Sequence, residues 1–166
     1  MITRILLVLL CILFVGSSFI SQAATPQKRD HLTPQEVDLV KEAQALDKRI
    51  DVFIKAAERR LMVINGSSAA NAKQLKKDSE RWGELPTGSR AELVSDIARI
   101  FDEAITNIDD VSARDERNPL ISKSLRKLAQ CVNTIMAQLK PFGAQAKSDA
   151  EVASFELLNE DAQSIL

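Results

Sequence analysis

The stretch "HLTPQEVDLVKEAQALDKRIDVFIKAAERRLMVING" (31–66) constrains the fold more than any other. Thr33 can cap a helix, Pro34 fits the first turn, where its missing N–H costs nothing, and Glu36 completes a capping box. Behind them Val37, Val40, Ala43, Leu46, Ile50, Phe53, Ala57, Leu61 and Ile64 recur at threes and fours. That spacing lays a narrow apolar stripe, close to a coiled-coil seam, and predicts one continuous helix over 33–64. At 1.5 Å per residue the helix is roughly 47 Å long. "NGSS" (65–68) closes it, because Asn and Gly tolerate left-handed backbone. Such an element outreaches helices of about 25–35 Å. It is therefore expected to pair with a second chain, as a homodimer, or to be covered by the residues that follow it.

The remaining segments are written in the same way. Ser89 and Glu92 form a second capping box and open a helix over 90–112. Asn118 and Pro119 open a third over 119–140, with the stripe Ile121, Leu125, Leu128, Val132, Ile135 and Leu139, and "PFG" (141–143) stops it. Ser148 and Glu151 open a fourth over 149–165. A weaker stripe of Ala72, Leu75, Ser79 and Trp82 predicts a short helix over 68–82. Gly83, Pro86 and Gly88 then turn the chain, and Trp82 plugs that end as a buried side chain with its N–H on a carbonyl. No segment of any length alternates with period two, which argues against a sheet. The expected fold is all-α: a mostly antiparallel bundle of four main helices plus a short one, forming a single domain over 33–166.

Charge suggests neighbours. The second helix region, 89–112, carries two cations against six acids, and the third, 119–140, four cations against none. These two are expected to lie flank to flank, with the acidic fourth as another neighbour of the third, although exposed pairs add only a few tenths of a kcal/mol each.

The N-terminus has the three parts of an export signal: Arg4, the apolar run Ile5–Val15, and a small-residue cleavage site ending at Ala23. Residues 1–23 are read as a signal peptide and 24–32 as a flexible lead-in. The apolar run is short against the roughly 20 residues of a membrane span. No span is expected after cleavage, retention as an anchor being the alternative, and the expected location is periplasmic or secreted. Cys11 leaves with the signal, so Cys131 is expected to be a buried free thiol.

The chain offers no constellation for catalysis. The one histidine, His31, lies ahead of the first helix. Paired Glu-x-x-His motifs, a His-Glu-x-x-His zinc site and a Ser–His–Asp triad on rigid elements therefore lack their parts. There is no Cys-x-x-Cys-His and no Gly-rich phosphate loop. The neighbouring acids Asp102–Glu103 and Asp109–Asp110 point about 100° apart on a helix and converge on nothing. No enzyme, metal or cofactor is expected. A net charge of −1, or −2 once Arg4 is removed, gives no field toward nucleic acid. The candidate partner surface is a basic cluster, Arg59, Arg60, Lys73, Lys76, Lys77 and Arg81, with Trp82 beside it. It would meet a protein partner or make a weak contact with an anionic surface.

Finally, "LTPQE" (32–36) resembles the Leu-Thr-x-x-Gln motif of the small helical periplasmic chaperones, with Glu36 where that motif has Gln. The leading expectation is a non-enzymatic, exported interaction or structural protein of the bacterial periplasm or extracellular space. The alternative, which the resemblance implies, is a chaperone or stress-adaptor that binds unfolded clients.

Overall fold

The computed structural model describes residues 29–67 and 72–166. Among these residues there are six helices and no strand: α1 Pro34–Glu42, α2 Leu46–Ile64, α3 Ala72–Trp82, α4 Arg90–Arg114, α5 Pro119–Gly143 and α6 Asp149–Ile165. The start signals act as their chemistry requires. Thr33 and Glu36 form a complete capping box, as do Ser89 and Glu92; Asn118 accepts from the Leu120 N–H and Ser148 from that of Glu151. Each such cap is worth about 1 kcal/mol to its helix. The expected signal peptide, most of the lead-in and the first turn of the short helix (68–71) lie outside the described residues. No helix among the described residues is long and apolar enough to cross a membrane.

The continuous helix expected over 33–64 is divided. The chain leaves helical geometry at Ala43 (ψ 85°), re-enters after Ala45 (ψ 138°), and folds α1 back along the second half of α2. Nothing local demands this break, since the turn "EAQA" (42–45) holds no Gly, Pro or Asn. It is set by distant contacts: Glu36 reaches Arg60, and Leu39 is buried. Arg49 closes the turn by donating to the carbonyl of Ala43 at 3.1 Å. At 19 residues α2 is roughly 28 Å long, so the overhang on which pairing of the long helix rested is absent.

Helices α2, α4, α5 and α6 surround one core. Ion pairs give their directions. Arg49 donates to Asn107 while Arg60 lies by Asp96, so α2 and α4 are antiparallel. Lys123 meets Asp47 at 2.7 Å and Lys127 meets Asp51 at 2.5 Å, so α2 and α5 run parallel. Arg90 pairs with Glu151 near the starts of α4 and α6, and Asp102 stands by Asp161 further along, so these two are also parallel. Consecutive long helices are thus antiparallel, and the parallel pairs are α2–α5 and α4–α6.

This arrangement corrects the reading of the charges. The lysines of α5 serve α2 rather than α4, and the broadest helix contact joins α4 to α6, both acidic. Small buried side chains, Ala98 and Ala104 on α4 with Ser154 and Ala162 on α6, suit these helices to a close contact. Packing of that kind outweighs exposed charge, which contributes a few tenths of a kcal/mol per pair. The cost shows at Asp161, whose carboxyl is pushed up by burial and then by Asp102 and Glu160. Helix α5 still touches α4 and, as expected, α6.

Helix α5 also differs from expectation, at its end and on its core face. Helix α5 runs through Pro141 to Gly143, since a missing N–H in the last turn costs only one bond and the N–H groups of Ala144, Gln145 and Ala146 take the final carbonyls. Its core face is rolled toward Ser124, which is buried, and leaves Leu125 36% exposed. The rest of the stripe faces inward: Leu128, Val132, Ile135 and Leu139 are buried against Phe53, Phe101 and Leu158. Cys131 is buried there as a free thiol, pushed up to about 12 by burial and then by Glu58.

Leu128→Ala should cost about 2–5 kcal/mol, the range for large-to-small changes in a packed core. Leu125→Ala, on the exposed side of the same helix, should cost less than about 0.5 kcal/mol, as surface changes do. Urea titration of both variants tests the assignment of this face.

Candidate functional site

The four elements from α1 to α4 meet at a buried cluster of charges. Glu36 on α1 is fully buried, and Arg59 and Arg60 on α2 are each 1% exposed. Arg60 grips Glu36 with both terminal nitrogens, Nη1 to Oε1 at 2.9 Å and Nη2 to Oε2 at 2.8 Å. The same nitrogens donate to the carbonyls of Ala56 at 2.8 Å and His31 at 2.6 Å. Such bidentate, charge-assisted bonds are stronger than neutral ones and fix both partners in angle. Glu36 also accepts from the Thr33 N–H, so one carboxylate both caps α1 and docks it. Arg59 Nε lies 3.3 Å from Glu36 Oε1, and its Nη2 donates to the carbonyls of Trp82, Gly83 and Glu84. The first of these is a carbonyl that the end of α3 leaves open, the other two lie just past it, and a cation there also suits the helix dipole. Burial holds the Arg59 guanidinium below its ordinary pKa, and Glu36 opposes that shift.

The cluster continues to α4 and to the residues before α1. Asp96 on α4, nearly buried, lies 3.9 Å from Arg60 Nε and accepts from Arg29 at 2.8 Å. Arg29 donates as well to the Thr87 carbonyl at 2.5 Å. A side chain at Gly88 would sit 2.7 Å from this guanidinium, so glycine is what lets the two approach. Leu32 is buried and His31 Nε2 lies 2.7 Å from Glu103 Oε2. Residues 29–32, expected as part of a flexible lead-in, are therefore packed against α2 and α4.

The structure divides the candidate partner surface in two. Arg59 and Arg60 belong to the buried cluster and face no solvent. Lys73, Lys76, Lys77 and Arg81 are exposed along α3, and no carboxylate pairs with them among the described residues. The inner side of α3 is half-buried, and its Asp78 meets Lys55 of α2 at 3.4 Å. Trp82 does not form the expected plug. It is half-buried, its ring carries the Arg59 guanidinium at 5.8 Å from its centroid, and it is the Trp82 carbonyl, not the indole N–H, that makes the hydrogen bond. The other side of the residue opens on a cleft of about 480 Å³ between Arg81, Leu39, Val52 and the α1–α2 turn.

Sequence reading missed Glu36 and Asp96 as partners of the two arginines, and Arg29 as a second partner of Asp96. A trace existed: Arg60 follows Ala57 by three and Asp96 follows Leu93 by three, so both charges stand on the flank of an apolar stripe. Such positions become buried when a further element covers them. Each carboxylate of the cluster is engaged by a guanidinium, while Nε of Arg29, Arg59 and Arg60 is buried without a hydrogen bond among the described residues. No group of three metal-ligating side chains occurs among the described residues. No family model, no curated protein and no solved structure matches the chain.

Glu36→Gln keeps the shape of the side chain and leaves Arg59 and Arg60 short of a counter-charge, for an expected loss of about 3–5 kcal/mol. Thr33→Ala removes only the cap and should cost about 1 kcal/mol. Equal losses in urea titration would mean that the cluster adds nothing beyond the cap.

Proposed function

We propose that the chain is an exported, non-enzymatic interaction protein of the bacterial periplasm or extracellular space, and that it meets an anionic partner through α3. The observation that carries this reading is the exposed row of Lys73, Lys76, Lys77 and Arg81 beside a half-buried Trp82. Cations spent on internal pairing are held by carboxylates elsewhere in the bundle, as Lys123 and Lys127 are. Those on α3 are presented outward, where they attract a negative surface over about a Debye length, roughly 8 Å at physiological salt. Trp82 adds an amphipathic ring at the edge of the same patch. The export part of the proposal rests on the tripartite N-terminus.

A chaperone reading has less support. Leu125, Val152 and Leu166 are the large apolar side chains left exposed among the described residues. They are scattered singly, where client capture needs a continuous apolar patch. The Leu-Thr-Pro-Gln-Glu letters serve the Thr33–Glu36 capping box and the buried cluster.

Trp82 is the sole tryptophan, so its emission reports directly on this edge. Titration with phosphatidylglycerol-rich vesicles at low salt should shift the emission. The response should vanish near 1 M salt, where the Debye length falls to about 3 Å. It should also vanish in the combined Lys73→Gln, Lys77→Gln and Arg81→Gln variant. An unchanged spectrum, or a response that survives the substitutions, rejects α3 as the contact.

A further inference from the structure

The turn between α1 and α2 sets local preference against tertiary contact. Glu42, Ala43, Gln44 and Ala45 precede Leu46, and Ala, Gln, Glu and Leu are all strong helix formers. The apolar stripe crosses the turn in register. Ala45 occupies the N-cap of α2 and has no side chain to bond the open N–H groups there. The hairpin persists because contacts far along the chain hold it: Glu36 on Arg60, Arg29 on Asp96, and buried Leu32 and Leu39. All of these join residues 29–42 to the rest of the bundle across a connection of three residues. A second copy of the chain presents the same receiving surface.

We propose that residues 29–42 are an exchangeable arm. In a dimer of this chain, α1 and α2 join into one helix over 34–64, and each Glu36 docks on Arg59 and Arg60 of the partner subunit. Every contact of the buried cluster is kept in the exchange, and residues 43–45 gain the helical bonds that the hairpin denies them. The opposing term is the entropy of association, so the dimer grows with concentration. Short hinges that disagree with their local preference favour such swapping.

Ala45→Pro separates the two states. Ala45 has φ −79°, which proline matches, and its N–H makes no hydrogen bond among the described residues. Proline at this position therefore suits the hairpin, whereas inside a continuous helix it removes a hydrogen bond and clashes with the preceding turn. Ala45→Asp is the second variant, because it supplies an N-cap that only the hairpin uses. Tagged and untagged copies of the full chain are unfolded together in urea, refolded together at high concentration, and captured by the tag. Circular dichroism confirms that each variant has refolded. Wild type should carry at least fivefold more untagged chain than either variant. Equal recovery from wild type and both variants, or no untagged chain recovered with wild type, overturns the proposal.

Discussion

The bidentate pair between Glu36 and Arg60 is the contact on which the upper half of this bundle depends. It turns α1 back on α2, and α1 in turn covers Arg59, which holds the end of α3 by three carbonyls. Arg60 also holds the His31 carbonyl, which places Arg29 within reach of Asp96. The two buried guanidiniums are matched by two buried carboxylates, Glu36 and Asp96. Matching of this kind offsets a desolvation penalty of several kcal/mol per ion, but it does not make the cluster cheaper than an apolar core would be. What it supplies is angle and register: a carboxylate accepting a forked pair of N–H bonds admits one orientation of α1.

The rest of the core is ordinary apolar packing, and the sequence was legible there and in the helix caps. Capping boxes at Thr33–Glu36 and Ser89–Glu92 are local chemistry, complete within four residues, and they form as written. Leu128 and Val132 lie where a period of three and four puts them. What was not legible depends on partners distant in the chain. The break at 43–45 has no local signal, because its cause is the pairing of Glu36 with Arg60, 24 residues apart in the chain. The expected neighbours, α4 with α5 and α5 with α6, do touch, but summed charge did not reveal that the broadest contact joins the two acidic helices α4 and α6.

The candidate site shows the same division. Lys73, Lys76, Lys77 and Arg81 could be recognised as exposed because α3 has few apolar residues and must keep its charges in water. Arg59 and Arg60 belong to the same run of cations in sequence, yet they are taken out of the surface by α1. A count of basic residues cannot distinguish a cation awaiting a partner from one that already has it. The distinction requires knowing which carboxylate the fold brings to it.

The packing of Arg29 bears on how the chain can be matured. Its guanidinium is the closest cation to Asp96, at 2.8 Å, and the next nitrogen, from Arg60, stands at 3.9 Å. Loss of Arg29 itself would leave the nearly buried Asp96 with only the longer contact to Arg60. Removal of a leader ending at Ala23 would leave Arg29 in place, five residues further along, so its pairing with Asp96 survives that cleavage.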